Sequence, residues 1–356
     1  MTPSPVRATA TTLGVAAVAG AAAFAWGALV ERNRFTIRHE TVPVLDPGAR
    51  PLTVLHIADL HMAPWQHKKQ EWVRSLALVE PDLVINTGDN LGHPDGIDGV
   101  MRALQPFSGI PGVFVNGSND YFGPQLKNPL RYFGGPSGTP DSAAVLDTER
   151  LEGFFEQQLG WLSLNNTARA MAIRGSRLEF FGTNDAHRGW DRLDRLPGVI
   201  EEMRENVGWQ DEIAGPAPVA IGVTHAPYRR VLDSFVNYGA ELIFAGHTHG
   251  GQVRIPGQPA LVTNCDIPNE QAQGLSLWRH ARRAAPQRER RDRHIHLCTR
   301  QICMPTRSRR RDTDGRRFRL FLRGSCFGAN DRGVAQLGSA LRSGRRGRGF
   351  KSRYPD

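Results

Sequence analysis

The sequence predicts an α/β domain with a largely parallel sheet. Short apolar runs of three to six residues recur along the middle of the chain, and each ends in a cluster of polar residues. Stretches with helical spacing of apolar residues lie between some of these runs. Short apolar runs bounded by Gly and Pro are typical of buried strands. Because strands that alternate with helices usually form parallel sheets, this pattern favours the α/β class.

The N-terminal part of the chain contains an apolar segment. No charged residue occurs from Ala8 to Val30, and this stretch is long enough to cross a bilayer as a helix. We therefore expect residues 1–31 to form a single-pass membrane anchor or, as the alternative, a cleaved signal segment. One basic residue, Arg7, precedes the segment, and three, Arg32, Arg34 and Arg38, follow it. This count favours a cytoplasmic body, but the bias is too small to fix the side of the membrane. Residues 32–50 contain two prolines and are expected to be a linker.

The body of the protein is expected to span residues 51–278. The predicted strands are Leu52–Ile57, Leu83–Ile85, Val113–Val115, Leu178–Phe181, Val219–Val223 and Leu242–Ala245. Helices are predicted at His67–Val79 and Arg188–Val207. In such sheets the ligand site lies beyond the carboxyl ends of the strands. The six polar clusters can therefore meet at one place.

Two of these clusters supply carboxylates. Asp59 and His61 are two residues apart, and residues with that spacing point to the same side at the end of a strand. Both are therefore expected to bind one cation. Asp89 follows Gly88, which allows the backbone to turn sharply and expose the carboxylate. A carboxylate in this position can bridge two metal ions.

Three further candidates supply imidazoles. His225 follows one predicted strand, and His247 and His249 follow another. Mixed carboxylate and imidazole ligands suit Mn, Fe, Zn or Co better than Ca or Mg, so the expected cofactors are two divalent ions of that group. Two such ions about 3.5–4 Å apart can clamp a phosphate and hold a hydroxide for in-line attack.

The order of these motifs resembles the calcineurin-like metallophosphoesterases, in the bacterial branch with an N-terminal membrane segment. That family has D-x-H, G-D, G-N-H-[DE], a single His and G-H-x-H in succession. The matching segments are Asp59–His61, Gly88–Asp89, Gly117–Asp120, His225 and Gly246–His249. The resemblance covers roughly Leu52 to Trp278. It implies a four-layer αββα fold, a β-sandwich flanked by helices, and a metal-dependent hydrolase of phosphodiesters or phosphomonoesters.

The resemblance also implies a division of the ligands between two metals. The first metal would be held by Asp59, His61, Asp89 and His249. The second would be held by Asp89, His225 and His247. The implied substrates are phosphate esters, either small molecules or lipids.

The chain departs from the family at one motif. Ser118 replaces an Asn that normally ligates the second metal, and Asn119 replaces a His that normally protonates the leaving group or binds phosphate. Asn119 can hydrogen-bond a phosphate oxygen but cannot act as a general acid near neutral pH. Either Asn119 ligates the second metal after a shift of the loop, or water completes the metal shell. Asn119 and Asp120 are the predicted catalytic residues.

Two smaller features follow from the same loops. His93 and Asn90 come directly after Gly88-Asp89 and are predicted substrate contacts, with an ordinary loop role as the alternative for His93. The segment Gly182–Asp185, followed by His187, resembles Gly117–Asp120 in composition. It either lines the same pocket or is a common turn at the end of a strand.

The basic charge of the chain is confined to its end. The net charge is +10, but residues 279–356 carry 23 Lys and Arg against 6 Asp and Glu, whereas the residues before them carry 22 against 29. The body therefore gives no argument for a nucleic-acid partner. Two alternative functions stay open: a metal- or phosphate-binding module without turnover, and a nucleic-acid binder that uses the basic tail.

Residues 279–356 are expected to be a disordered tail. When Arg288–Pro305 is reverse-translated and shifted by one base, the degenerate codons permit a segment that resembles the closing strands of the family. Residues 332–356 resemble a translated transfer RNA gene. We therefore hypothesise a shifted reading frame. It would remove the last strands of the body and leave a sheet edge unpaired.

Overall fold

The computed structural model describes residues 14–15, 18, 20–22, 35–124, 143–209, 215–251, 253–254, 260–280, 295–299 and 318–325. Two six-stranded sheets lie face to face, and helices cover both outer faces. The layers are therefore helix, sheet, sheet, helix. This arrangement confirms the predicted αββα sandwich and replaces the single parallel sheet that the strand pattern alone indicated.

The strands are numbered in chain order. They are β1 (Phe35–Val42), β2 (Leu52–Ile57), β3 (Leu83–Asn86), β4 (Gly112–Phe114), β5 (Leu162–Ser163), β6 (Ala168–Ile173), β7 (Ser176–Gly182), β8 (Val219–Thr224), β9 (Leu242–Ala245), β10 (Val253–Arg254), β11 (Ala260–Val262), β12 (Gly274–Trp278), β13 (Ile295–Thr299) and β14 (Phe318–Ser325). The first sheet has the order β1-β14-β2-β3-β4-β5, and the second has the order β12-β13-β9-β8-β7-β6. Strands β10 and β11 form a separate hairpin.

Each sheet combines a parallel centre with an antiparallel edge. In the first sheet β14, β2, β3, β4 and β5 run parallel, and β1 is antiparallel to β14. In the second sheet β7, β8, β9 and β13 run parallel, with β6 and β12 antiparallel at the two edges. The parallel strands of each sheet thus bring their carboxyl ends to a common rim.

The helices are α1 (His67–Ser75), α2 (Ile97–Leu104), α3 (Ser118–Tyr121), α4 (Thr148–Gly153), α5 (Leu196–Val207) and α6 (Arg229–Asn237). A 3₁₀ turn extends α1 to Val79, and a π-helical segment continues α4 to Leu159. The predicted helix at 67–79 is therefore confirmed. The predicted helix at 188–207 begins later, at Leu196, because a left-handed Gly189 ends the turn Ala186–Arg188 and Pro197 starts a new helix.

Three apolar clusters hold the layers together. The first fills the space between the sheets and includes Val54 of β2, Ile85 of β3 and Phe244 of β9. The second packs α1, α2 and α4 against the outer face of the first sheet. The third packs α5 and α6 against the outer face of the second sheet. Because the central strands are buried on both faces, they appear in the sequence as short, mainly apolar runs.

Strand β1 corrects the predicted linker. Residues 32–50 were expected to lack regular structure, yet β1 occupies Phe35–Val42 and pairs with β14. The two prolines that suggested a linker lie beyond the end of this strand, at positions 43 and 47. The alternation of Phe35, Ile37 and the neighbouring polar residues suits an antiparallel edge strand, which needs no long apolar run.

Strands β13 and β14 correct the predicted tail. The tail was expected to be without strands, but β13 lies between β9 and β12, and β14 lies between β1 and β2. Each contains two β-branched or aromatic residues, which favour strands: Ile295 and Thr299 in β13, and Phe318 and Phe321 in β14. They also provide parallel partners for β9 and β2, which would otherwise be sheet edges. The remainder of residues 281–356 lies outside the described residues.

The predicted membrane segment lies mostly outside the described residues. Only positions 14, 15, 18 and 20–22 of the stretch from Ala8 to Val30 are described. In the described part of the chain, no helix combines the length and the apolar character needed to cross a bilayer.

Candidate metal centre

Loops from both sheets converge at one rim of the sandwich. The loops that follow β2, β3, β8 and β9 carry the six Asp and His side chains that the sequence singled out as ligands. They form two groups, Asp59 with His61 and His249, and Asp89 with His225 and His247. In each group the potential ligand atoms lie within 4.8 Å of one another. We refer to these groups as the first trio and the second trio.

The first trio joins the two sheets. Its members Asp59 and His61 follow β2 of the first sheet, whereas His249 follows β9 of the second. His61 Nε2 lies 3.2 Å from His249 Nε2, and the two rings stack at 4.9 Å between centroids. His249 Nε2 lies 3.9 Å from Asp59 Oδ1. Three donor atoms thus face a common point.

The second trio is more deeply buried. His225 is fully buried, and Asp89 and His247 are nearly so. His225 Nε2 lies 3.4 Å from Asp89 Oδ2 and 3.2 Å from His247 Nδ1. This set of one carboxylate and two imidazoles has the donor chemistry of a transition-metal site.

Asp89 contacts both trios. Its Oδ2 lies 3.7 Å from His61 Nε2 of the first trio and 3.4 Å from His225 Nε2 of the second. The trios are also linked by Asp59, whose Oδ1 accepts a hydrogen bond from the backbone N–H of His247 at 3.0 Å. The geometry is the one that a bridging carboxylate requires, and the bridging role of Asp89 stays a prediction.

The backbone of the candidate ligands is left-handed. Asp59, His61, Asp89, His247 and His249 have φ values of 45°, 39°, 54°, 64° and 49°. Non-glycine residues seldom adopt such values, and they cluster at functional sites because the surrounding structure must stabilise them. Residues with a spacing of two point to the same side only where the backbone is extended, and here it is not. The side chains converge instead because alternate residues in two loops take the left-handed conformation.

Hydrogen bonding fixes the orientation of the His225 ring. Its Nδ1 lies 2.8 Å from the carbonyl oxygen of Thr87, so Nδ1 carries the proton and donates it. The remaining nitrogen, Nε2, faces Asp89. The Thr87 hydroxyl is in turn 3.0 Å from Nε2 of the buried His56. Carbonyl partners of this kind hold the rings of metal-binding histidines in place.

Two glycines allow the loops to approach each other. Gly88 has a φ of 87°, and a Cβ at this position would clash with the backbone of Asn116 and Gly117. A Cβ at Gly117 would clash with Asp89 and His225. The sharp turn expected before Asp89 is therefore present, and both positions require glycine.

Asp120 holds the two loops that carry Asp89 and Gly117 together. Its fully buried carboxylate accepts hydrogen bonds from the backbone N–H groups of Asp89, Asn90 and Gly117 at 2.9, 2.7 and 3.0 Å. Burial and the charge of Asp89 raise the pKa of Asp120 to about 7, and these N–H groups act in the opposite direction. The geometry favours a positioning role for Asp120, and its predicted catalytic role stays a prediction.

The side chain that contacts the second trio from the loop Gly117–Asp120 is that of Asn119. The Asn119 backbone N–H donates to Asp89 Oδ1 at 2.9 Å, and its side-chain amide contacts Asp89 Oδ2 at 2.6 Å. A half-turn of that amide would present its oxygen instead of its nitrogen. The Ser118 backbone N–H donates to Asp185 Oδ2 at 2.9 Å. The structure thus supports the alternative in which Asn119 completes the second metal shell, which stays a prediction.

The two predicted substrate contacts, Asn90 and His93, both have hydrogen-bond partners within the protein. The Asn90 side chain is fully buried between Asn86, at 2.8 Å, and Asp120, at 3.3 Å. His93 accepts a hydrogen bond from the Asp95 backbone N–H at 3.1 Å and so caps the turn Pro94–Gly96. Each side chain thus helps to shape the loop that follows β3, which favours the alternative of a loop role for His93. A contact of either residue with the substrate stays a prediction.

The members of the second trio shift one another's pKa values. Burial raises the pKa of Asp89, but the neighbouring imidazolium groups and hydrogen bonds outweigh burial and hold that pKa well below its usual range. Burial lowers the pKa of His225, but Asp89 outweighs it and raises that pKa well above normal. Burial and nearby His225 lower the pKa of His247 well below normal. The pKa shifts of Asp89 and His225 are therefore in the directions that favour a charged pair, and the shift of His247 is in the direction that favours the neutral imidazole.

Further residues border the site. The His187 ring lies 4.4 Å from the His247 ring between centroids, and the Asn264 amide lies 3.2 Å from His247 Nε2. His187 was anticipated because its segment resembles Gly117–Asp120. Asn264 was not anticipated, since a lone Asn in a loop carries no signal in the sequence.

The chain matches known proteins in three comparisons. Residues 52–251 match the family described as Calcineurin-like phosphoesterase. Over 212 residues the chain is 28% identical to YpbG, an uncharacterized protein of Bacillus subtilis (strain 168); the match covers 58% of this chain and 64% of that protein. The chain thus spans less than two thirds of that relative's length. A structure of a dimetal phosphatase from Danio rerio is 10% identical, with a TM-score of 0.31, and covers 58% of this chain and 83% of the other.

Proposed function

This chain belongs to the calcineurin-like phosphoesterase family, and on that premise we propose that it hydrolyses phosphate esters at a dinuclear metal centre. The observation that carries the proposal is the contact of Asp89 with both trios. Two sets of Asp and His donors that share one carboxylate suit a pair of divalent ions. The donor chemistry favours Mn, Fe, Zn or Co.

The residues present fit such a pair of ions. Asp59, His61 and His249 would hold one ion, His225 and His247 would hold the other, and Asp89 would contact both. Ions held in this way neutralise phosphoryl charge and activate water for in-line attack. The ligands are held ready for this task, because Thr87 orients His225 and the Asp120 carboxylate holds the backbone of Asp89.

Asn119 stands where the family motif has a His, and this difference bears on which esters the site can hydrolyse. Its amide touches Asp89, so it either completes the shell of the second ion or donates to a phosphate oxygen. It cannot supply a proton near neutral pH. We therefore propose that esters with good leaving groups, such as aryl phosphodiesters and aryl phosphomonoesters, are the best substrates.

The test is hydrolysis of an aryl phosphodiester and an aryl phosphomonoester by the purified protein, with Mn²⁺ and with a chelator. We expect metal-dependent turnover that Asp89→Asn abolishes. The matched control is Asp95→Asn, since the Asp95 side chain is 82% exposed and lies outside both trios. A wild-type protein that binds two metals per chain but hydrolyses neither ester would contradict the proposal.

A second candidate function is phosphate binding without turnover. The observation that favours it is the Asn at position 119, where the family motif has a His. A metal-loaded protein of this kind would bind inorganic phosphate in calorimetry and leave both aryl esters intact. The same hydrolysis assay therefore separates the two functions.

We also propose that the apolar stretch from Ala8 to Val30 attaches the protein to a membrane. The support is its length and lack of charge in the sequence. Deletion of residues 1–31 should move the protein from the membrane fraction to the supernatant after a carbonate wash. Recovery of the full chain in the supernatant would contradict membrane attachment and would leave the proposed chemistry untouched.

A further inference from the structure

The turn Ala186–Arg188 lies beside the second trio without belonging to it. It follows β7 and is held by Asp185, whose Oδ1 accepts the backbone N–H of His187 at 2.8 Å. The other oxygen of the same carboxylate accepts the backbone N–H of Ser118 at 2.9 Å. One buried carboxylate thus fixes this turn relative to the loop that carries Asn119.

His187 places an imidazole against the second trio. Its ring lies 4.4 Å from the His247 ring between centroids. Its Nδ1 lies 2.9 Å from the hydroxyl of Tyr228, which holds the ring in this position. His187 is half-buried, whereas the three members of the trio are buried, so it stands between the trio and solvent. It belongs to neither set of candidate metal ligands.

Arg188 adds unused hydrogen-bond donors to the same turn. Its Nε and Nη1 are buried, and neither has a hydrogen-bond partner among the described residues. Buried N–H groups without partners are rare in folded proteins and often indicate an absent ion or water. Burial raises the pKa of Asp185, and the Arg188 charge is close enough to oppose that rise. The guanidinium therefore lies within electrostatic reach of the carboxylate that anchors the turn.

We propose that His187 and Arg188 form an anion-binding pair that contacts the phosphate group of the substrate beside the second trio. An imidazole N–H and a guanidinium are suited to phosphate oxygens, and Arg in particular presents several donors in a fixed plane. The Asn119 amide carries no charge, so the positive charge that binds the phosphate would come from this pair. This inference rests on the proposed function for the identity of the substrate but not for the binding of phosphate.

The test uses the full chain loaded with Mn²⁺ and inorganic phosphate as the probe. The variants are His187→Ala and Arg188→Met, and the matched controls are His67→Ala at the exposed start of α1 and Arg150→Met, whose half-exposed side chain pairs with Asp98. The measurements are phosphate affinity by calorimetry, metal content per chain, and kcat/KM for an aryl ester. His187→Gln, which keeps a hydrogen-bond donor, is the conservative variant.

We expect His187→Ala and Arg188→Met each to weaken phosphate binding and to lower kcat/KM by about ten- to a hundredfold, since each removes a hydrogen bond to a charged group. Metal content should stay at two per chain, His187→Gln should recover part of the loss, and the controls should match the wild type.

Unchanged phosphate affinity would overturn the proposal. A loss of phosphate binding only in proportion to lost metal would also overturn it, because His187 would then merely support His247. A protein that binds phosphate through the pair but hydrolyses no ester would refute the proposed function alone.

Discussion

The carboxylate of Asp120 accepts the backbone N–H of Asp89 at 2.9 Å, so the residue that contacts both trios is held by a second, buried aspartate. The same carboxylate binds the backbone of Asn90 and Gly117. The position of Asp89 therefore depends on a residue that belongs to neither trio.

We predict that Asp120→Asn destabilises the protein and lowers its metal content. An amide replaces one acceptor oxygen by a donor, which leaves buried N–H groups without a partner at a cost of about 1–3 kcal/mol. The free energy of unfolding from guanidinium denaturation and the metal content per chain measure the effect. Asp95→Asn, at an exposed position, should change neither quantity. Wild-type metal content in Asp120→Asn would show that the loop keeps its shape without this carboxylate.

Substitutions at Ser118 and Asn119 should have unequal effects. Ser118→Ala keeps the backbone N–H that binds Asp185, so we expect unchanged metal content and a stability change within about 0.5 kcal/mol. Asn119→Ala removes the amide that contacts Asp89, and we expect the second metal to bind about tenfold more weakly. Metal titration followed by calorimetry resolves the two binding steps. The reverse order of effects would indicate that the Ser118 hydroxyl, and not the Asn119 amide, ligates the second metal.

Metal removal should destabilise the fold. Six Asp and His donors face one another at the rim, and a ligand that binds only the folded protein stabilises it by about 2.7 kcal/mol when its concentration is a hundred times Kd. The shift of Tm between Mn²⁺ and chelator measures this. In Asp89→Asn the shift should largely disappear, while in His67→Ala it should persist. An equal shift in Asp89→Asn would mean that the stabilising ions bind elsewhere.

Loss of the tail strands should weaken both sheets. A chain that ends at residue 280 lacks β13 and β14, so β9 and β2 each lose a parallel partner and expose backbone N–H and C=O groups. We expect a lower denaturant midpoint and concentration-dependent association in size-exclusion chromatography. Identical unfolding of the shortened and full chains would show that these strands contribute nothing to stability.

The shifted reading frame stays a hypothesis. It is tested by sequencing the gene together with its downstream region. An uninterrupted frame with no adjoining transfer RNA gene would refute it, and would leave β13 and β14 as the native closing strands.

Glu152 should make stability depend on pH. Burial raises the pKa of Glu152, and its Oε1 accepts a hydrogen bond from the Asn116 amide at 2.5 Å. Because the folded-state pKa is raised, the favourable contribution of Glu152 is full below the unfolded-state pKa and is lost as the pH rises through the folded-state value. Glu152→Gln should therefore be as stable as the wild type in acid and slightly more stable, by less than about 1 kcal/mol, at pH 7. The free energies of unfolding at pH 4 and pH 7 measure this, and a variant that is less stable at pH 7 would contradict it.

The central strands could be predicted from the sequence, whereas the edge strands could not. Strands β2 and β9 have the predicted bounds because helices cover one face and the opposite sheet covers the other, so all their positions except Thr53 and His56 of β2 are apolar. Strands β1 and β6 have partly exposed faces and polar positions, and neither was predicted. The division into two sheets came from the family resemblance, because local patterns do not specify which strands pair.

The candidate ligands could be predicted, but most of their supports could not. Asp59, Asp89 and His247 each belong to a short motif that lies within a single loop and can therefore be recognised in the sequence. The roles of Asp120 and Asn264 depend on contacts between loops that are distant in the chain. The left-handed backbone was also missed, since Asp and His adopt it only when surrounding contacts stabilise it.

His61 and His249 face each other across 188 positions of the chain. A metal held between them would close a loop that contains most of the body, and such long-range contacts form late because the entropy of loop closure opposes them. The donors would therefore assemble only after both sheets have formed. We expect added Mn²⁺ to slow the unfolding rate markedly and to leave the refolding rate almost unchanged. The metal centre would then stabilise the folded protein kinetically, by slowing its unfolding.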